Sequence, residues 1–281
     1  MCNGSIMDKL ISFSLPLMVS GILQLAFNAV DIIVVGRFSG SQALAAVGST
    51  TALINVFTNL FIGISLGANV LAARFYAAGK DREMSETVHT SITLALISGI
   101  MMAVIGVLLA KWALEIMGTP DDVIGQSALY MRIYFMGMPF FMLYNYGAAI
   151  LRAIGDTKRP LIFLIISGIA NAALNMTLVI LFHMGVAGVA IGTIISQLIS
   201  CVLVLTCLYR SEGSYQLRFS KLKINGAYME QIFQVGVPAG IQSTVINLSN
   251  ALLQSSVNSF GSIAMAGYTA ANNILGFLYI I

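Results

Sequence analysis

Long apolar runs separated by short polar stretches dominate the hydrophobic pattern of the chain. An α-helix needs about 20 mostly apolar residues to cross the hydrocarbon core of a bilayer, and most of these runs are that long. The fourth run contains Pro139, which can interrupt a helix. The pattern therefore predicts an all-α membrane protein with spans at residues 11–35, 46–72, 87–110, 123–150, 161–182, 186–209 and 232–257 and the start of another at 264–281.

A weak internal repeat predicts how these spans are grouped. The segment LISFSLP at 10–16 is echoed by IFQVGVP at 232–238, and the same offset places Asn28 on Asn250. Six spans followed by a restart of the first predict a six-helix transmembrane bundle and the start of a pseudo-symmetric second bundle. We expect an N-terminal lobe over 1–209, a cytoplasmic linker over 210–227, and two helices of an apparently truncated second lobe over 228–281.

Composition supports the membrane assignment, and the placement of charge predicts its orientation. The chain of 281 residues is 58% hydrophobic and 9% charged, with a mean hydropathy of +0.91, whereas soluble domains are about 25% charged. Of the 14 Lys and Arg, eleven fall on the membrane side that holds the N-terminus and two on the other. The positive-inside rule then predicts a multi-pass protein of the cell membrane with a cytoplasmic N-terminus.

Several other classes of site are not indicated by the sequence. No basic patch interleaved with aromatic residues indicates nucleic-acid binding. The cysteines Cys2, Cys201 and Cys207 do not form a disulfide or metal-binding pattern. His89 and His183 lie near predicted span ends without further metal-ligand residues nearby, so we expect neither a metal site nor a cofactor.

One carboxylate, Asp31, lies well inside an apolar run and is the strongest candidate for function. An acid at the centre of a membrane helix costs about 2.5–3.5 kcal/mol on insertion scales, and such residues are functional by default. Gln24 and Asn28 share its helix face at spacings of seven and three residues. This stripe predicts a polar cavity in which Asp31 exchanges a proton or binds an ion. The alternative is a structural carboxylate that is hydrogen-bonded to a neighbouring helix.

Other polar side chains inside the runs are candidates for the same cavity, although each also has a structural interpretation. Asn171 and Asn175 share a helix face and could join a hydrogen-bond network with Asp31, or could serve as polar contacts between helices. A helical threonine often bonds only to its own backbone, and aromatic residues often only pack. The further candidates are Thr193 for ion coupling and Tyr134, Tyr144 and Asn145 for contact with an aromatic or cationic substrate.

Three motifs together resemble a known family. They are NAVDIIVVGRFSG at 28–40, LRAIGDTKRP at 151–160 and GVAGVAIGTIISQ at 185–197. In combination the chain is similar to the multidrug and toxic compound extrusion (MATE) transporters. The resemblance covers essentially the whole chain and implies twelve spans in two lobes, of which this chain would hold the first lobe, the linker and the opening of the second. A C-terminal lobe would then be needed for transport.

The resemblance also implies a function and some of its residues. Members of the family export small, mostly cationic organic compounds in exchange for protons or sodium ions. Asp31 matches the family's acid on the first helix, Asn171 an asparagine on the fifth helix and Thr193 a threonine on the sixth. Many relatives carry an aspartate where this chain has Asn175. That missing charge, together with a seventh span that has no acid, favours protons over sodium here.

Other functions stay open from the sequence alone. A lipid-linked oligosaccharide flippase of the same superfamily would usually carry several basic residues in its cavity, and Arg132 is the one intramembrane candidate that the pattern offers. An integral membrane enzyme would need a nucleophile with its base or a metal cluster at one depth, which a single deep acid does not supply. A non-transporting membrane fragment is the third alternative.

Overall fold

A computed structural model describes residues 6–280, and the described part is built of α-helices without a β-strand. Residues 1–5, which include Cys2, and residue 281 lie outside this part. A π-helical turn at Thr177–Leu181 extends α6, and a short 3₁₀ turn at Phe219–Lys221 lies in the linker. The helices are α1 (Ile6–Phe38), α2 (Gly40–Ala77), α3 (Asp81–Ile116), α4 (Asp121–Met136), α5 (Met138–Ala153), α6 (Lys158–Met176), α7 (Gly185–Arg210), α8 (Gly226–Asn258) and α9 (Ser262–Ile280).

Five helical segments are long and apolar enough to cross a membrane, which confirms the all-α membrane class. The fourth predicted span is divided at Gly137 into α4 and α5, each of 16 residues and thus about 24 Å long. Pro139 lies in the first turn of α5, where proline is tolerated. The five segments are Leu10–Phe38, Gly40–Ala77, Asp81–Ile116, Lys158–Leu181 and Gly185–Arg210.

The connections between helices are shorter than the hydrophobic pattern predicts. The loop expected over 36–45, between the first two predicted spans, is wrong, because α1 continues to Phe38 and α2 begins at Gly40, leaving Ser39 alone between them. Gly40 adopts a φ of 89°, a conformation that favours glycine and lets the chain reverse within so few residues. Likewise α3 extends to Ile116, beyond the predicted end of its span at residue 110.

The α2–α8 crossing brings two backbones into direct contact through glycines. A Cβ placed on Gly63 would lie 2.2 Å from the Cα of Gly240, and one placed on Gly67 would lie 2.2 Å from the carbonyl oxygen of Ile232. A Cβ placed on Gly236 would lie 2.5 Å from the Cα of Ile64. Small residues at four-residue spacing let membrane helices approach closely, so α8 lies tightly against the helices that precede the linker.

Candidate functional site

The candidate site begins where α1 packs against α6. A Cβ on Gly168 would lie 1.9 Å from the Phe27 ring, so the ring occupies the space that a larger residue at 168 would fill. One turn further along α1, Asp31 lies next to Asn175 of α6. Because residue 168 is glycine, the polar face of α1 that carries Asp31 can approach the face of α6 that carries Asn171 and Asn175.

The Asp31 carboxylate is held by an amide network on α6. Asn175 donates a hydrogen bond from its Nδ2 to Asp31 Oδ1 and contacts Asn171 Oδ1 with the same nitrogen at 3.3 Å. Asn175 is fully buried, and its Oδ1 has no hydrogen-bond partner among the described residues. That oxygen faces α7, where a Cβ on Gly192 would lie 2.0 Å from it. Gly192 thus leaves room for the orientation in which Asn175 reaches Asp31.

A cavity of about 510 Å³ opens beside this network and is enclosed by α1, α2, α4, α5, α6 and α7. Its size lies within the range of about 300–1,000 Å³ that is usual for small-molecule sites. Eight of the nine site residues predicted from the sequence line this cavity. The ninth, Asn175, lies behind the wall and is hydrogen-bonded to Asp31. Those lining the wall are Gln24, Asn28, Asp31, Tyr134, Tyr144, Asn145, Asn171 and Thr193.

Three of the predicted residues use polar atoms for local hydrogen bonds. The Thr193 hydroxyl donates to the Val189 carbonyl at 2.9 Å, the Tyr144 hydroxyl donates to the Pro160 carbonyl at 3.2 Å, and Asn145 Nδ2 donates to the Phe141 carbonyl at 2.8 Å. These bonds orient the three side chains by tying them to backbone carbonyl groups. The side-chain oxygens of Thr193 and Asn145 can still accept a hydrogen bond from a ligand. Their functional roles stay predictions.

Aromatic rings form part of the cavity wall near its polar end. Tyr130 and Tyr134 of α4 stack with their ring centroids 6.0 Å apart and their planes at 28°. Both line the cavity that contains Asp31, as do Phe27 and Phe141. Aromatic faces attract organic cations, and a carboxylate in the same cavity adds a negative charge. Tyr130 was not singled out from the sequence, although it lies one helical turn before Tyr134 on the same face.

The cationic residue of the cavity is Arg152, which follows the predicted fourth span at 123–150 and was therefore expected in a loop. Helix α5 continues to Ala153, so Arg152 is its last-turn basic residue and lines the cavity. Its guanidinium makes no ion pair with any carboxylate of residues 6–280. Arg132, the one basic residue inside a predicted span, is exposed and does not line the cavity. Asp31 and Arg152 are the charged side chains on this wall.

The wall contributed by α2 was also missed. Thr51, Asn55 and Ser65 of α2 line the cavity, and none of them was among the candidate site residues predicted from the sequence. The interval from Phe141 to Arg152 on α5 corresponds to about 16 Å of helix, so the cavity is elongated along the helices. Among the described residues, no group of three or more His, Cys, Asp or Glu is arranged to hold a metal ion.

Sequence comparison shows which known proteins this chain is similar to. A sequence profile described as MatE matches residues 16–177. The chain is 34% identical over 275 residues to the probable multidrug resistance protein YoeA of Bacillus subtilis, an alignment that covers 95% of this chain and 59% of that protein. It is 23% identical to the multidrug export protein MepA of Staphylococcus saprophyticus over 98% of this chain and 61% of the relative.

The solved structures show the same fold. An outward-facing multidrug resistance MATE family transporter of the MOP superfamily superposes with a TM-score of 0.84 at 21% identity, covering 98% of this chain and 63% of the other. An inward-facing one gives a TM-score of 0.82 at 21% identity, covering 96% and 63%. The chain thus spans about 60% of the length of the curated relatives that it matches.

Proposed function

The chain belongs to the MATE family of membrane transporters, whose members are secondary transporters and not enzymes, and from that premise we propose that it exports small organic cations by cation-coupled antiport. The observation that carries this proposal is Asp31, a carboxylate that lines an aromatic-walled cavity inside the helical bundle and is held there by Asn175. A charge at this depth is costly unless it has a partner or a role.

The proposed coupling follows from competition at a single carboxylate. Ionised Asp31 attracts a cationic substrate, and Tyr130 and Tyr134 offer ring faces to it. A proton that binds Asp31 removes the negative charge and lowers the affinity for the cation. Binding of the proton and binding of the cationic substrate at Asp31 therefore exclude one another. A protein that alternates between inward-open and outward-open states then exchanges one for the other across the membrane. Gln24, Asn28, Tyr134, Tyr144 and Asn145 are proposed as substrate contacts.

The same geometry favours a proton over a sodium ion as the coupling ion. Sodium is a hard cation that takes oxygen ligands, whereas Asn175 turns its amide nitrogen toward the Asp31 carboxylate. The resemblance implies that many relatives carry an aspartate at this position, which would add an oxygen ligand and a charge. We therefore propose that Asp31 carries the proton and that Asn171, Asn175 and Thr193 support it.

The proposed architecture places this cavity in an N-terminal lobe over 1–209 and assigns 210–227 to a cytoplasmic linker and 228–281 to the opening of a second lobe. The repeated proline supports this assignment, since Pro16 lies inside α1 and Pro238 inside α8. The carboxylate is not repeated, because Leu253 stands at the position equivalent to Asp31 and is exposed. The N-terminus is proposed to be cytoplasmic in the cell membrane.

Vesicles that contain the full-length protein test the proposal. We expect an imposed pH gradient to drive transport of the fluorescent cation ethidium, and an imposed sodium gradient to drive it less. Protein-free vesicles provide the control for leakage. Absence of gradient-driven ethidium transport under both gradients would refute cation-coupled export by this chain.

A second candidate function is favoured by Arg152. A flippase for lipid-linked oligosaccharides carries a substrate with phosphate groups, which an arginine binds in a bidentate manner. From the sequence, Arg132 was the one basic candidate for the cavity, which disfavoured this function. In the structure Arg152 lines the cavity instead, without an ion-pair partner among residues 6–280. Substitution of Arg152 separates the two candidates.

A further inference from the structure

A second cavity, remote from Asp31, lies where the linker crosses the beginning of α3. It has a volume of about 790 Å³ and is lined by one face of α3 over 82–90 and by the linker over 221–226. We call it the linker pocket. It shares no residue with the cavity around Asp31, and its volume lies within the usual range for small-molecule sites, about 300–1,000 Å³. The proposed transport mechanism does not use it.

Hydrogen bonds between α3 and the linker build the wall of this pocket. The backbone N–H of Arg218 donates to His89 Nε2 at 3.1 Å, and the ring's Nδ1 lies 2.6 Å from the Ser85 carbonyl oxygen, to which it donates. The backbone N–H of Asn225 donates to Thr90 Oγ1 at 3.2 Å. His89 and Thr90 are both buried, so the linker is fixed against α3 and the pocket has a defined shape.

The pocket carries an excess of positive charge. Its single carboxylate, Glu86, is already paired with Arg82 at 3.0 Å and accepts a hydrogen bond from Asn225 Nδ2 at 2.8 Å. Lys221 and Lys223 line the pocket as well, and neither makes an ion pair with a carboxylate of residues 6–280. The lining thus offers two uncompensated ammonium groups, which suit a phosphate as point charges.

An apolar strip continues from the pocket along the same face of α3. Leu96, Ile97, Ile100 and Val104 follow Glu86 and His89 at helical spacing and are 39%, 48%, 51% and 54% exposed. A cationic pocket above an exposed apolar strip matches an amphiphile with an anionic head and hydrocarbon tails. A free phosphate would use only the upper part of this surface.

We propose that the linker pocket binds the phosphate of an anionic phospholipid headgroup through Lys221 and Lys223, with the acyl chains lying along the strip from Leu96 to Val104 on α3. Basic residues that lie next to a membrane helix attract anionic lipids. In this site the lipid would contact both the linker and α3, and so would stabilise the docking of the linker on the helix bundle.

Native mass spectrometry of the delipidated full chain in detergent tests the proposal. The probes are phosphatidylglycerol, phosphatidylcholine with the same acyl chains, and water-soluble glycerol phosphate. We expect the wild-type chain to prefer phosphatidylglycerol over phosphatidylcholine by about tenfold, and the Lys221→Gln/Lys223→Gln double variant to lose that preference. Lys221→Arg/Lys223→Arg, which keeps both charges, should retain it.

The control removes an equal charge from the same end of the bundle outside the pocket. Arg74→Gln/Lys158→Gln changes two exposed basic residues that do not line the linker pocket, and we expect it to keep the lipid preference. Equal affinity of the wild-type chain for the two phospholipids, or an unchanged preference in the Lys221→Gln/Lys223→Gln variant, would overturn the proposal. If glycerol phosphate binds as tightly as phosphatidylglycerol, the proposal that the ligand is a lipid is overturned and the pocket is assigned to a soluble phosphate.

Discussion

Asn175 donates its side-chain amide hydrogen bond to Asp31 across the interface of α6 and α1. Because Asn175 is fully buried between α6 and α7, this bond connects the cavity-facing carboxylate to the packed interior of the bundle. A change in the charge of Asp31 would therefore act on Asn175 and, through it, on the contact between α6 and α7.

Asp31→Asn should abolish gradient-driven efflux of ethidium from vesicles. The amide has nearly the shape of the carboxylate but neither binds a proton near neutral pH nor carries a negative charge, so it removes both sides of the proposed competition. The initial rate should fall to that of protein-free vesicles. Asp121→Asn provides the control, because Asp121 is exposed at the start of α4 and lies outside the cavity. Full activity of Asp31→Asn would exclude this carboxylate from coupling.

Gly192→Ala should impair transport more than it impairs folding. The new methyl group would lie 2.0 Å from Asn175 Oδ1, and the Asn175 side chain would have to rotate away from Asp31. A hydrogen bond to a charged group contributes about 1.5–3 kcal/mol, so we expect about a tenfold loss of efflux rate. The measurement is ethidium efflux alongside the thermal midpoint in detergent. Gly125→Ala, which meets no atom within 4 Å, should keep the efflux rate and should not lower the thermal midpoint.

Gly63→Ala should destabilise the folded chain, since the added methyl group would overlap the backbone of α8 at Gly240. Backbone cannot move aside as a flexible side chain does, so the helices must separate. Overpacking of this kind costs about 1–3 kcal/mol, which we expect to appear as a lower midpoint of thermal unfolding in detergent. Gly267→Ala on α9 has open space around it and tests the effect of alanine alone. Equal midpoints for the two variants would contradict the close crossing of α2 and α8.

Asn225→Ala should release the linker from α3. It removes the amide that bonds to Glu86 at 2.8 Å and the cap that accepts from the Ala227 N–H at 3.1 Å. Loss of each bond costs about 0.5–1.5 kcal/mol, so we expect trypsin to cleave after Lys221 and Lys223 roughly tenfold faster. Cleavage is followed by gel electrophoresis of the full chain in detergent. Ser220→Ala serves as the control, because Ser220 is exposed in the linker; an unchanged rate in Asn225→Ala would show that this contact does not hold the linker.

The class of fold and one side of the cavity could be predicted from the sequence for a simple physical reason. An acid within an apolar run is so unfavourable in lipid that it indicates a cavity by itself, and helical periodicity then adds Gln24 and Asn28 to its face. Asn171 and Asn175 follow from the same argument on α6. These residues meet in the structure because their helices present polar faces to one another.

The features that the sequence did not predict depend on where helices end and on contacts between segments that are far apart in the chain. Arg152 was assigned to a loop because the apolar run ends at Ile150, but α5 continues through Ala153 and directs Arg152 into the cavity. The loop expected over 36–45 failed for a related reason, since polar residues there continue the helices. The pairing of Gly63 with Gly240 joins segments far apart in the chain, and no local pattern reveals it.

Arg152→Gln should separate the two functions proposed for the cavity. Asp31 and Arg152 are the charged side chains on its wall, so removal of the guanidinium leaves the carboxylate as the dominant charge. If the substrate is a small cation, loss of a like charge should strengthen its binding, and we expect the KM for ethidium to fall by a few-fold with efflux retained. If the substrate carries phosphate groups, the same change removes its anchor and its translocation should fall by about tenfold or more. Arg132→Gln, which changes an exposed arginine outside the cavity, should alter neither, and an Arg152→Gln variant that behaves like it would show that Arg152 contacts no substrate.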